Sequence, residues 1–70
     1  MSRKTIKLIH EGRYAAEVPV ELIEEEGGWS PYLSTQDAIT LDKVRKALRD
    51  GDIAQAAQHA RVFELMPVSV

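Results

Sequence analysis

The first third of the chain alternates between apolar and polar positions, the pattern of strands with one buried face. Residues 5–9 are rich in β-branched and apolar side chains, and residues 13–23 follow after the short link 10–12. In the second segment every even position in 14–22 is apolar, whereas the charged residues Arg13, Glu17 and Glu21 all stand at odd positions. A period of two residues predicts a half-buried strand, so the two segments predict an antiparallel hairpin.

The apolar positions also predict the register of this hairpin. A three-residue link at 10–12 places Leu8 opposite Tyr14 and puts Gly12 at the left-handed position that such links require. A shift by one residue would turn the whole apolar set towards water, so this register is favoured. The predicted apolar face holds Ile6, Leu8, Tyr14, Ala16, Val18, Val20 and Leu22.

Two prolines indicate where a strand has no hydrogen-bonded neighbour on one side. Pro19 lacks an N–H, so the second strand should be an edge on that side or bend there. After the polar turn 24–28 we expect a short third strand at residues 29–33, with Pro31 placing it at an edge. By strand parity Trp29 and Tyr32 face opposite sides. One of them should therefore lie on a contact surface, unless the strand twists at Pro31 and buries both.

The second half of the chain has helical spacing. Ser34 and Asp37 form a capping box, in which Ser34 accepts from the Asp37 N–H and the Asp37 carboxylate reaches back. The apolar positions that follow are three or four residues apart, namely Ala38, Leu41, Val44 and Leu48. Gly51 should end this helix in a left-handed cap. Asp52 should begin a second helix that Pro67 stops near residue 65 or 66.

Together these elements predict a single α+β domain over residues 1–70. A three-stranded antiparallel sheet (3–33) should be followed by an αα-hairpin (34–66) packed on one face of the sheet. The helical side of this core is expected to hold Leu41, Val44, Leu48, Ile53, Ala57 and Phe63. A chain of 70 residues buries a small core, and with no cysteine it has no disulfide to support it. A partner chain would supply that support.

Composition narrows the classes of function. Nine basic and eleven acidic residues give no positive excess of the kind that nucleic-acid-binding domains usually carry. His10 and His59 lack neighbouring ligands, so we expect no metal and no cofactor. We find no phosphate-binding loop and no nucleophile elbow, and therefore expect neither an enzyme nor a small-molecule site. Without a signal peptide or a membrane-length apolar run, the cytoplasm is the expected compartment, with no membrane partner.

Two charged blocks are the candidate binding sites. Glu24, Glu25 and Glu26 form an acidic turn beside Trp29 and Tyr32, and these five residues are the predicted protein-binding site. A solvated turn is the alternative explanation.

The basic block supports a second reading, nucleic-acid binding by the first helix. Its residues are Lys43, Arg45, Lys46 and Arg49. A further option is a strand ribbon that presents Arg3, Lys7 and Arg13, although a solvated sheet face is favoured for these residues.

Residues 18–29 read Val-Pro-Val-Glu-Leu-Ile-Glu-Glu-Glu-Gly-Gly-Trp, followed by a short strand and a capped helix. This order resembles the HicB-type antitoxins of bacterial toxin–antitoxin operons, over residues 14–49. The glycine-rich proline segment that those proteins carry before the helix is absent, since residues 33–35 run straight into the helix. The resemblance implies a small bacterial protein-interaction module that binds a toxin, with operator DNA as a further partner. The alternatives are a DNA-binding regulator and a structural domain that forms homo-oligomers.

Overall fold

The computed structural model describes residues 2–24, 27 and 30–69 and shows an α+β fold, a sheet followed by two helices. The elements are β1 (Ser2–Glu11), β2 (Tyr14–Ile23), β3 (Tyr32–Leu33), α1 (Thr35–Asp50), α2 (Ile53–Ala57) and β4 (Arg61–Glu64). β1 pairs with β2, and both β3 and β4 pair with the other edge of β2. The predicted α+β class is confirmed, but the sheet has four strands rather than three.

A two-residue turn joins β1 to β2. Glu11 pairs with Tyr14, which leaves Gly12 and Arg13 as the turn residues. Gly12 has a φ of 59°, and no described non-glycine residue has a positive φ. A positive φ at the first central residue alone is the pattern of a type II′ turn, whose twist suits a tight hairpin.

The predicted three-residue link and its register are wrong, because the turn has only two residues. Ile9 pairs with Ala16 and is 3% exposed, whereas Leu8 and Ile6 lie on the opposite side of the sheet with 68% and 55% exposure. The prediction required one face to hold every apolar residue of the hairpin. β1 has apolar side chains at the adjacent positions 8 and 9, and adjacent residues of a strand point to opposite faces.

The second edge of β2 is divided at Pro19. β4 pairs with residues 14–17 of β2, and β3 pairs with residues 22–23. Between these two segments the Glu21 N–H donates to Asp37 Oδ2 over 2.8 Å. Backbone groups two residues apart on a strand point the same way, so the missing N–H of Pro19 faces the unpaired part of this edge. The predicted edge at Pro19 is confirmed.

The helix caps follow the sequence closely. Ser34 Oγ accepts from the Asp37 N–H at 3.1 Å, and Gly51 ends α1 with a φ of 77°. Asp52 Oδ1 accepts from the Gln55 N–H at 3.2 Å and caps α2. One half of the predicted capping box is wrong, because the Asp37 carboxylate accepts from Glu21 of β2 instead of reaching back to Ser34.

The second helix is shorter than predicted. α2 ends at Ala57, and residues 61–64 form β4 against Tyr14–Glu17 of β2. Val62 and Phe63 favour a strand, and the free edge of β2 offers them a pairing partner. The second half of the chain is therefore two helices and a strand, rather than the αα-hairpin expected over residues 34–66.

The core lies between one face of the sheet and the two helices. Its buried members are Ile9, Ala16, Val18, Val20, Val44, Ala47, Leu48 and Ala56. The expected packing of Val44 and Leu48 against the even positions of β2 is confirmed. The alanines differ from the prediction, since Ala56 is buried and Ala57 is exposed. Phe63, expected in this core, is 38% exposed on the other side of the sheet.

Candidate protein-binding surface

The two faces of the sheet differ in what covers them. The helices pack on the face that holds Ile9 and Ala16, whereas no described helix packs on the other, which we call the open face. Besides Ala15, strand register assigns six apolar residues to the open face: Ile6, Leu8, Pro19, Ile23, Tyr32 and Phe63. Their side chains come from all four strands, so the open face is a continuous surface of the sheet.

The apolar side chains of the open face are unusually exposed. Leu8 is 68% exposed, Ile6 55%, Tyr32 46% and Phe63 38%. Leu65 follows β4 with its N–H bonded to the Arg13 carbonyl at 2.7 Å, and it is 44% exposed. Several large exposed apolar side chains on one face are typical of interaction sites on soluble domains.

β4 positions the aromatic part of the open face. Its register sets Phe63 opposite Ala15, which lies opposite His10 of β1 in turn. Ala15 is only 7% exposed, because its methyl group sits between these two larger neighbours. The Arg61 guanidinium lies 5.1 Å from the centre of the Phe63 ring, a cation–π contact that favours the observed ring position.

Charged residues on the open face occur as opposite pairs. Lys4 of β1 lies opposite Glu21 of β2, and Glu17 of β2 lies opposite Arg61 of β4. Opposite signs at facing positions avoid the repulsion that like charges would bring to the ladder. The charge of the two pairs sums to zero.

The predicted protein-binding residues reach this surface only in part. Tyr32 lies on the open face beside Ile23. Glu24 forms an ion pair with Arg3 at 3.2 Å. Glu25, Glu26 and Trp29 lie outside the described residues, so the acidic turn is not described as a unit.

The basic block on α1 does not form one surface. Arg45 lies 4.0 Å from Asp42 in an ion pair, and Arg49 lies 3.6 Å from Glu11 at the end of β1. These two arginines therefore have acidic neighbours that offset their charge.

The two lysines of the block lie elsewhere on α1. Lys43 and Lys46 line a shallow cleft together with Asp50, Asp52 and Gln55. The strand cations are separated as well, because Arg13 sits in the hairpin turn while Arg3 pairs with Glu24.

Sequence reasoning missed most of the open face. Ile6 and Leu8 were assigned to the core, and Phe63 was assigned to a helix. The signal for β4 was present, since residues 61–64 contain valine and phenylalanine, which favour strands. The adjacent apolar residues Leu8 and Ile9 also indicated that no single face could bury both.

Comparison with protein-family models, curated proteins and solved structures finds no match to this chain. The resemblance to HicB-type antitoxins therefore rests on residues 14–49 of the sequence alone. Within the described part of the chain, no helix is long and apolar enough to cross a membrane. The same residues hold no group of three or more acidic or histidine side chains placed to bind a metal ion.

Proposed function

We propose that this chain is a protein-interaction module and that the open face is its binding surface. The observation that carries the proposal is the exposure of Ile6, Leu8, Tyr32 and Phe63 on one face of the sheet. The exposed part of an apolar side chain adds nothing to the stability of the monomer, whereas its burial at an interface would release about 25 cal/mol for each Å² covered. Aromatic anchors such as Tyr32 and Phe63 are typical centres of such interfaces.

The antitoxin reading is the more specific form of this proposal. It is supported by the resemblance of residues 14–49 and by the acidic turn that follows β2, and it places the module in the bacterial cytoplasm. The DNA-binding alternative has weaker support. Arg45 and Arg49 each have an acidic neighbour, and α2, at five residues, is short for a recognition helix.

Capture experiments on the wild type and two variants test the proposal. The tagged wild type, Leu8→Asp on the open face and Ile39→Asp on α1 are cross-linked in the native cells. Each is checked for folding by circular dichroism. Ile39 is 44% exposed and lies away from the open face, so it is the matched control. We expect wild type and Ile39→Asp to retain the same protein partner, including an untagged copy of the chain, and Leu8→Asp to lose it. Equal capture by the wild type and both variants, or no capture by the wild type, would refute the proposal.

A further inference from the structure

We infer that the partner of the open face is a second copy of this chain, which packs sheet against sheet to form a homodimer. The inference rests on the proposed function and names its partner. Three observations support it: the size of the exposed surface, the charges of the open face, and the cations on the free edge of β1, where a second copy could pair instead.

The molecule has more surface than a compact monomer of its mass. Its accessible surface is 5458 Å², whereas a folded monomer of 7.8 kDa is expected to expose about 4,400 Å². Its radius of gyration is 14.2 Å, against about 11 Å for a compact chain of this length. The excess surface is about 1,000 Å², close to the roughly 800 Å² that each subunit contributes to a standard stable interface.

The thin shape of the molecule contributes to this excess, together with the exposed segment 65–69, in which Met66 is 76% and Val68 86% exposed. The extents of the molecule are 47 × 30 × 14 Å, so it is a plate whose broad sides are large relative to its volume. One broad side is the open face. A second sheet packed about 10 Å away would bury that side and give four layers, with helices outside and sheets inside.

The charges of the open face suit a copy of itself. Lys4 and Arg61 are balanced by Glu21 and Glu17, each cation directly opposite an anion on the neighbouring strand. In a two-fold interface the same patch meets itself, so a surface with equal numbers of both signs brings no net repulsion between the two copies. A partner of one dominant sign, such as a basic toxin or a nucleic acid, would bring like charges against half of these groups.

The free edge of β1 is the competing route to a dimer, and its charges oppose it. β1 carries Arg3, Lys4 and Lys7, and antiparallel pairing with a second β1 would gather the cations of both copies in one ladder. Lysines on edge strands are a common protection against such pairing. Face-to-face packing keeps these edges apart and buries Ile6 and Leu8 instead.

Analytical ultracentrifugation of the full chain, from low micromolar to millimolar concentration, tests the dimer. We expect the wild type to approach twice the monomer mass of 7.8 kDa. Leu8→Asp and Phe63→Asp should each raise the dissociation constant about 100-fold or more, because each introduces a charge into the apolar centre of the interface. Ile39→Asp should dimerise like the wild type. Circular dichroism verifies that each variant is folded, and Leu8→Asp suffices if Phe63→Asp unfolds β4.

Phe63 also distinguishes the two kinds of dimer. It lies on β4, two strands away from the free edge of β1, so its substitution would leave an edge-paired dimer intact. A dimer weakened by Leu8→Asp and unchanged in folded Phe63→Asp would overturn the inference in favour of edge pairing. A wild type that stays monomeric at millimolar concentration would also overturn it. If the open-face variants then still lost a different captured protein, the proposed function would stand without the homodimer.

Discussion

The backbone N–H of Glu21 donates to Asp37 Oδ2 over 2.8 Å, and this hydrogen bond ties the middle of β2 to the first turn of α1. On the edge away from β1, β2 has no strand partner at this point, between the segments paired to β4 and to β3. The carboxylate therefore replaces a missing strand and also places negative charge at the N-terminus of the helix, where the helix dipole favours it.

Removal of the Asp37 carboxylate should destabilise the fold. We expect Asp37→Ala to lower the free energy of unfolding by about 1–2 kcal/mol, because it removes both the acceptor and the favourable charge. Asp37→Asn keeps an acceptor oxygen and should cost about half as much. Urea unfolding followed by circular dichroism measures both. Asp42→Ala on the same helix removes an exposed ion-pair partner of Arg45 and should change stability by less than about 0.5 kcal/mol. Equal losses at positions 37 and 42 would contradict this role.

At position 51 the left-handed backbone alone should determine how much a substitution lowers the free energy of unfolding. Gly51 has a φ of 77°, and a Cβ atom there would meet no atom within 4 Å. Gly51→Ala should therefore cost about 1–2 kcal/mol through the left-handed backbone, and Gly51→Asn should cost less. Thermal unfolding of the two variants compares them directly. If alanine were as stable as glycine, the left-handed cap would be excluded.

Two leucines provide a matched test of which face is covered. Leu48 is 3% exposed and Leu8 is 68% exposed. Leu48→Ala should lower the free energy of unfolding by about 2–4 kcal/mol through the cavity that it leaves. Leu8→Ala should cost less than about 0.5 kcal/mol. Urea titrations are run at a concentration where the wild type sediments as a monomer. Comparable losses for the two variants would place Leu8 in the core.

The strand register has a direct signature in nuclear magnetic resonance. Glu21 turns its N–H away from β1 towards Asp37, and Glu17, four residues earlier, points its backbone the same way. Leu8 and Glu17 are therefore a non-hydrogen-bonded pair, whose Cα atoms lie about 4.5 Å apart. We expect a strong Overhauser effect between their Hα atoms in a labelled sample. A strong cross-peak between Leu8 and Tyr14 Hα atoms would instead support the three-residue link.

Local features of this fold could be predicted from the sequence. The Ser34, Gly51 and Asp52 caps each depend on a side chain or a backbone preference within a few residues. The buried even positions of β2 followed from a period of two residues. Such signals act over short stretches of chain, so no knowledge of the tertiary structure is needed to interpret them.

Features that depend on distant partners could not be predicted in the same way. Residues 61–64 form a strand because residues 14–17 of β2 offer them an edge to pair with. These two segments are far apart in the sequence. The hairpin register depended on one turn, where Gly12 and Arg13 replaced the expected three-residue link. This shift by one position moved Ile6 and Leu8 from the predicted core to the open face.

The candidate site illustrates the same limit. Tyr32 was predicted as a binding residue from its aromatic side chain and its strand parity, and it lies on the open face. The other apolar members of the surface could be assigned only after the register and β4 were known. A binding surface assembled from four strands has no continuous motif in the sequence.

The late position of β4 in the chain has a consequence for the order of folding. β1 and β2 are adjacent in sequence and can pair early, whereas the pairing of Ala15 with Phe63 must close a loop that contains both helices. Long-range pairing of this kind is slow relative to hairpin and helix formation. On the ribosome, the open face acquires Phe63 only after residues 61–64 have been synthesised. A nascent chain would therefore lack a complete binding surface while its own core is still forming.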